Sequence, residues 1–320
     1  CGGSANAKSA GQRDLGLSDL ASTLGHVGRD VMPVLRMGSP SLEGTGMTKR
    51  ITSLFVLLSL CAFRTVCSIA EAQDTSGDPA EANRTGQIIL VIGASGADEY
   101  TEPLERSAAR WTEVAKQSET PIKMIGKAGE GKQNDREQLH SAIKSVASGG
   151  AAHGSGPLWL VMIGHGTFTR GVAKFNLRGP DISAKELAQW LQTCKRPIVV
   201  VNCASASGPF VNQLSGENRI VVTATKSGTE HNYARFGEYF ARAIASADSD
   251  LDHDDEVSVH EAFLLASAEV RQFYESEDRI ITEHALIDDN GDGKGTPASM
   301  FRGVRPNAVA KDGAQLDGSA

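Results

Sequence analysis

From Gln87 onward, short apolar runs alternate with segments of helical spacing. Gln87-Ile88-Ile89-Leu90-Val91-Ile92 is the kind of run that forms a strand buried on both faces of a parallel sheet. Gly93-Ala94-Ser95-Gly96 turns the chain, and from Glu102 to Ser118 the apolar positions Leu104, Ala108, Trp111 and Ala115 share one helical stripe. Residues 122–125 predict a second strand and residues 135–147 a second helix. The next apolar run, Leu158 to Ile163, ends in Gly164-His165-Gly166, and a polar, helix-like segment follows. Ser183, with Glu186 three residues on, predicts a capping box opening a helix that runs to Cys194. Residues 198–201 and 220–225 predict the fourth and fifth strands, the fourth leading directly into Asn202-Cys203-Ala204. Strands alternating with helices in this way predict an α/β fold with a mainly parallel sheet flanked by helices.

Ahead of this pattern the chain has a different texture. Residues 1–41 are rich in Gly, Ser and Ala without sustained periodicity. Met47-Thr48-Lys49-Arg50, the apolar run from Ile51 to Phe63 and Ala70-Glu71-Ala72 make the three parts of a secretory signal peptide. The expectation is an unstructured upstream extension (1–46), a signal peptide (47–72) and a polar linker (73–86), with export after cleavage near Ala72. The apolar run is short for a membrane span, so no stable span is expected in the mature chain. The α/β domain is expected over 87–247, an acidic calcium-binding segment over 248–305 and a disordered tail over 306–320.

Charge and cysteine content narrow the function. A net charge of −7 argues against a protein that tracks nucleic-acid phosphates. The five cysteines are too sparse for a disulfide framework, and no Cys-x-x-Cys occurs. The Gly-rich turn after Ile92 lacks the Gly-x-Gly-x-x-Gly spacing of a dinucleotide site.

The chemistry is sought where two strands end. In a parallel sheet His165 and Cys203 both arrive at the carboxyl edge, where ligand sites of open α/β folds lie. A thiol and an imidazole there can form a nucleophile and its proton-transfer partner. The order of these pieces (apolar strand, Gly164-His165-Gly166-Thr167, apolar strand, small-residue Cys203) resembles the caspase-like cysteine peptidases of the legumain, caspase and gingipain clan, the legumain-like branch in particular. Val222-Thr223-Ala224-Thr225 resembles the strand that flanks the specificity pocket in that branch. The resemblance implies attack by Cys203 on a peptide carbonyl, proton transfer by His165, and oxyanion donors from the backbone N–H groups of Gly166 and Cys203. It implies a substrate pocket near Asp98, Glu99, Thr223, Thr225 and Glu230, with a peptide or protein as substrate. The family usually places Ala before the Cys, preceded by Glu or Gln; Val201 and Asn202 stand there instead. The alternative is an inactive relative whose cleft binds a peptide or protein partner.

Two acidic runs point to Ca²⁺ as a bound ion, the alternatives being a solvated acidic loop between helices for the first and a simple Gly-rich turn for the second. Asp250, Asp252, Asp254, Glu256 (through its carbonyl), Ser258 and Glu261 fall in the twelve-residue EF-hand register, with apolar-periodic segments on either side. Asp255 occupies position 6, where Gly is usual. Asp288, Asn290 and Asp292 begin a second such loop, whose position 12 is Ser299 and supplies no carboxylate.

Overall fold

The computed structural model describes residues 86–127, 134–149, 156–308 and 315–318. The expected upstream extension, the signal peptide and all but the last residue of the linker lie outside the described residues. Among the described residues no helix is long and apolar enough to cross a membrane.

The first half of the fold follows the apolar pattern closely. β1 (Gln87–Ile92) leads through a short turn of 3-10 helix into α1 (Thr101–Gln117). β2 (Ile122–Ile125), α2 (Asp135–Ala147) and β3 (Leu158–Ile163) come next. The Asn134 side chain caps α2 by accepting from the Glu137 N–H.

Between β3 and the next helix the chain departs from the expected helix-like segment. Residues 166–183 form a small antiparallel sheet of β4 (Gly166–Thr169), β5 (Val172–Phe175) and β6 (Ile182–Ser183). β5 alternates exposed and buried residues, a two-residue period too short to stand out in a helical window. The expected capping box of Ser183 and Glu186 then opens α3 (Ala184–Leu191).

β7 (Ile198–Asn202), α4 (Pro209–Leu214), β8 (Arg219–Thr223), α5 (Phe236–Ala243) and α6 (Val259–Ser276) continue the α/β pattern. β9 (Leu286–Asp288) and β10 (Thr296–Pro297) follow, and a separate hairpin of β11 (Phe301–Arg302) and β12 (Arg305–Pro306) comes after them.

The main sheet has the order β10-β9-β8-β7-β3-β1-β2. From β8 to β2 every neighbouring pair is parallel, while β9 and β10 add an antiparallel margin. The α/β body therefore does not close at residue 247, because β9 hydrogen-bonds directly to β8. Alternate residues of each strand feed two cores. One holds Trp159, Val161, Ile163, Val199, Val201 and Cys203 with apolar residues of α1, α5 and α6. The other holds Leu158, Leu160, Met162, Ile198 and Val200 with residues of α2, α3 and α4. Helices cover both faces, and so the strands read as unbroken apolar runs.

This order also locates a crevice. The chain leaves β1 for β2 on one side and then returns past β1 to place β3 on the other. The carboxyl ends of β1 and β3 thus form a topological switch point, where α/β sheets open a cleft.

Candidate active site

His165 lies at that switch point, two residues beyond the end of β3. Its ring makes a hydrogen bond with the backbone carbonyl of Ser95, in the turn after β1. Tyr100 meets the ring edge-on with centroids 4.6 Å apart, and Tyr233 lies 6.1 Å away. The two tyrosines stack on each other at 5.4 Å. The imidazole is therefore held from three sides. Its Nε2 is buried and has no hydrogen-bond partner among the described residues. Burial lowers the pKa of His165, partly offset by the Ser95 carbonyl, so the ring is neutral at neutral pH. A neutral imidazole with one nitrogen engaged and the other free is arranged to accept a proton.

Cys203 occupies a different level of the sheet. Met162 pairs with Asn202, which makes Cys203 level with Ile163, and the Cys203 N–H donates to the Met162 carbonyl at 2.9 Å. That N–H is committed to the sheet ladder, so it is not the free oxyanion donor the sequence implies. The side chain points into the first core and is 5 % exposed. It packs against Gly237 so closely that a Cβ there would fall 2.5 Å from the Cys203 Cβ and 2.7 Å from its Sγ. A small crevice between Leu104, Ser107, Gly164, Tyr233 and Gly237 reaches this level, and Cys203 forms part of its lining. Burial, with a contribution from the Glu283 carboxylate, pushes the thiol up to about 12.

Asn202 accounts for how β7 ends. Its Oδ1 accepts the Ala204 N–H at 3.1 Å, a local turn made by the side chain. The small residues that follow are buried and tied down. Ser205 Oγ lies 3.3 Å from both the nitrogen and the carbonyl oxygen of Gly166. Ser207 Oγ pairs with Thr225 Oγ1 at 3.1 Å and accepts the Thr225 N–H. Gly166 itself has to be glycine: a Cβ there would lie 2.2 Å from the Ser205 carbonyl oxygen.

The expected substrate-binding residues divide into two groups. Asp98 and Glu99 are exposed in the 3-10 turn that also carries Tyr100. Thr223 and Thr225 are fully buried, with their hydroxyls bonded within the 205–227 loops, so they brace the site from behind instead of lining a pocket. Glu230 is likewise engaged: it accepts the Lys226 and His284 N–H groups and pairs with His284 Nδ1 at 2.5 Å.

The first acidic run folds as a loop between α5 and α6. Oxygens of Asp250, Asp252 and Asp254 all lie within 4.8 Å of one another. His253 and Asp255 adopt positive φ (62° and 67°), so Asp255 makes the turn expected of position 6. Burial raises the pKa of Asp252, helped by the carboxylates of Glu261, Asp254 and Asp250. Ser258 and Glu261 form the capping box of α6, a pattern legible in Ser258-x-x-Glu261, whereas the sequence reading takes them only as candidate ligands. The free Oε1 of Glu261 accepts the N–H groups of Leu251 and Asp252, at loop positions 2 and 3.

The second run traces the same path. Gly291 and Gly293 adopt positive φ (75° and 78°) at positions 4 and 6. Asp288 accepts the Gly291 and Gly293 N–H groups. The place that Glu261 takes in the first loop is filled here from the C-terminal segment. Asp317 Oδ1 accepts the N–H groups of Asp289 and Asn290, again positions 2 and 3, and Thr296 Oγ1 donates to its Oδ2. Residues 315–318 are therefore part of the fold and not of the disordered tail expected over 306–320. Nothing local in the sequence marks Asp317. Burial, with the neighbouring Asp317 and Asp288 carboxylates, pushes Asp289 up to about 7.

No family model matches the sequence, and no curated protein matches it. Among solved structures the chain is similar to the Drosophila initiator caspase Dronc, with 14% identity and a TM-score of 0.45 over 67% of this chain and 82% of that one. It is also similar to caspase-1 from Spodoptera frugiperda, with 8% identity and a TM-score of 0.42 over 64% and 86% of the two chains.

Proposed function

We propose that this chain is an exported caspase-like peptidase whose reaction centre is the carboxyl edge at His165. The observation that carries this reading is the state of that imidazole. It is pinned by the Ser95 carbonyl at the switch point, neutral through burial, and left with a buried Nε2 that has no partner among the described residues. The Gly166 N–H next to it is held by nothing stronger than a 3.3 Å contact, so a substrate carbonyl can take it over. In this role Nε2 takes the proton of the attacking group and returns it to the leaving amine. The exposed carboxylates of Asp98 and Glu99 favour a basic substrate residue at the rim. Export rests on the sequence between Met47 and Ala72.

Calcium is proposed as a structural ion of the two acidic loops. Asp250, Asp252, Asp254, the Glu256 carbonyl, Ser258 and Glu261 would hold one ion, and Asp288, Asn290, Asp292 and Asp317 a second. The donors are all hard oxygens, as Ca²⁺ requires, and the ion would relieve the mutual repulsion of the carboxylates.

The test is a peptide library varied at the P1 position, incubated with the protein and with His165→Ala, with and without Ca²⁺. Cleavage that disappears in His165→Ala is the expected result. No cleavage under any condition would leave the cleft as a binding site for a peptide or protein partner.

A further inference from the structure

We propose that the nucleophile of this site is Ser205. The inference rests on reading the His165 edge as a hydrolytic centre. Its first support is the register of two parallel strands. The last pair of the ladder is Met162 with Asn202, and the Cys203 N–H still donates to the Met162 carbonyl, so Cys203 closes the ladder while Ser205 lies beyond its end, as His165 lies beyond the end of β3. The second is a direct contact: Ser205 Oγ lies 3.3 Å from both the nitrogen and the carbonyl oxygen of Gly166, the residue joined to His165. The third is the close approach that Gly166 permits, since any side chain there would strike the Ser205 carbonyl oxygen and push the loop off His165. Cys203 has none of these relations. Its side chain is packed on Gly237 one layer deeper, and its N–H is committed to Met162.

A hydroxyl at this position does not need to ionise beforehand, because a neutral imidazole can remove its proton as the new bond forms. At rest the Ser205 hydroxyl accepts from the Gly166 N–H and donates to the Gly166 carbonyl. A substrate carbonyl oxygen that takes over this N–H frees Oγ to turn toward Nε2. Oγ then adds to the carbonyl carbon, its proton passes to Nε2, and the carbonyl π pair becomes an oxyanion held by the Gly166 N–H. Collapse of that intermediate breaks the C–N bond, and the amine departs with the proton from His165. The serine ester that remains is cleaved by water, whose proton passes through His165 back to Oγ.

The test uses the full chain with a fluorophosphonate probe, iodoacetamide and the peptide library, read by peptide mapping and cleavage rate. The unmutated protein and Cys203→Ala are expected to carry the phosphonate on Ser205. Ser205→Ala and His165→Ala should lose it by about 10²-fold or more, and peptide cleavage should fall about 10³-fold in Ser205→Ala. Ser205→Cys provides a check that does not depend on Ser205→Ala folding: position 205 should become alkylated by iodoacetamide in a His165-dependent way. Phosphonate labelling that survives Ser205→Ala, or cleavage lost in Cys203→Ala and kept in Ser205→Ala, overturns the assignment while the peptidase reading stands. Phosphonate on Ser205 without cleavage of any peptide supports the assignment and refutes the peptidase reading.

Discussion

The chemistry of Cys203 can be tested without knowing any substrate. The perturbation is alkylation of the native protein by iodoacetamide at pH 7.5, with the modified cysteine identified by peptide mapping. The thiol is held at about 12 against 9.0 for an ordinary cysteine. Three units correspond to ~4 kcal/mol favouring the protonated form, and to ~10³-fold less thiolate at any pH below 9. Only the thiolate attacks iodoacetamide, so native Cys203 should react about a thousandfold more slowly than the same residue unfolded in urea. Close packing against Gly237 within the narrow crevice slows the reagent further. The mapping separates Cys203 from Cys194, which is also buried. Native Cys203 alkylated within about tenfold of its unfolded rate would refute this reasoning, and with it the placement of the thiol below the reactive edge.

Three more outcomes follow from the same geometry. Gly237→Ala puts a Cβ 2.5 Å from the Cys203 Cβ, so urea unfolding should show a loss of about 1–3 kcal/mol that Cys203→Ala relieves only in part; full stability in Gly237→Ala would contradict the packing. Burial lowers the His165 pKa, so the neutral, active form persists below pH 6.5, and the acid limb of kcat/KM against pH should fall below that value; a limb at 6.5 or higher would contradict it. Calorimetric titration with Ca²⁺ should show heat from two sites, one lost in Asp250→Ala and the other in Asp317→Ala; a trace without heat sinks both loops as metal sites.

The sequence predicts the parallel strands well because helices on both faces leave them as unbroken apolar runs. The hairpins of residues 166–183 are harder to see. Their strands are four residues or fewer, and a period of two over so short a span leaves no signal beside the longer helices. The position of His165 just past a strand end is legible because glycines bracket it after a fully buried apolar run. The partner at its level is not. Register between β3 and β7 is set across an intervening helix and a small sheet, and no local pattern states whether residue 203 or residue 205 arrives beside His165. Under the proposed assignment one cue stands in the sequence: Ala204 precedes Ser205, where the resemblance implies an alanine before the nucleophile. The roles of Asp317 and Glu283 lie beyond local reading for the same reason. Glu283 accepts the Arg235 and Phe236 N–H groups at the start of α5 from 48 and 47 residues away, and only the folded chain brings them together.

The most direct test of the central claim is to quench a cleaved peptide's reaction with acid and map the acyl group trapped on the unmutated protein. The account predicts an ester on Ser205, formed at a rate that collapses in His165→Ala. An acyl group carried by Cys203, or an ester on Ser205 that forms equally fast without His165, would contradict it.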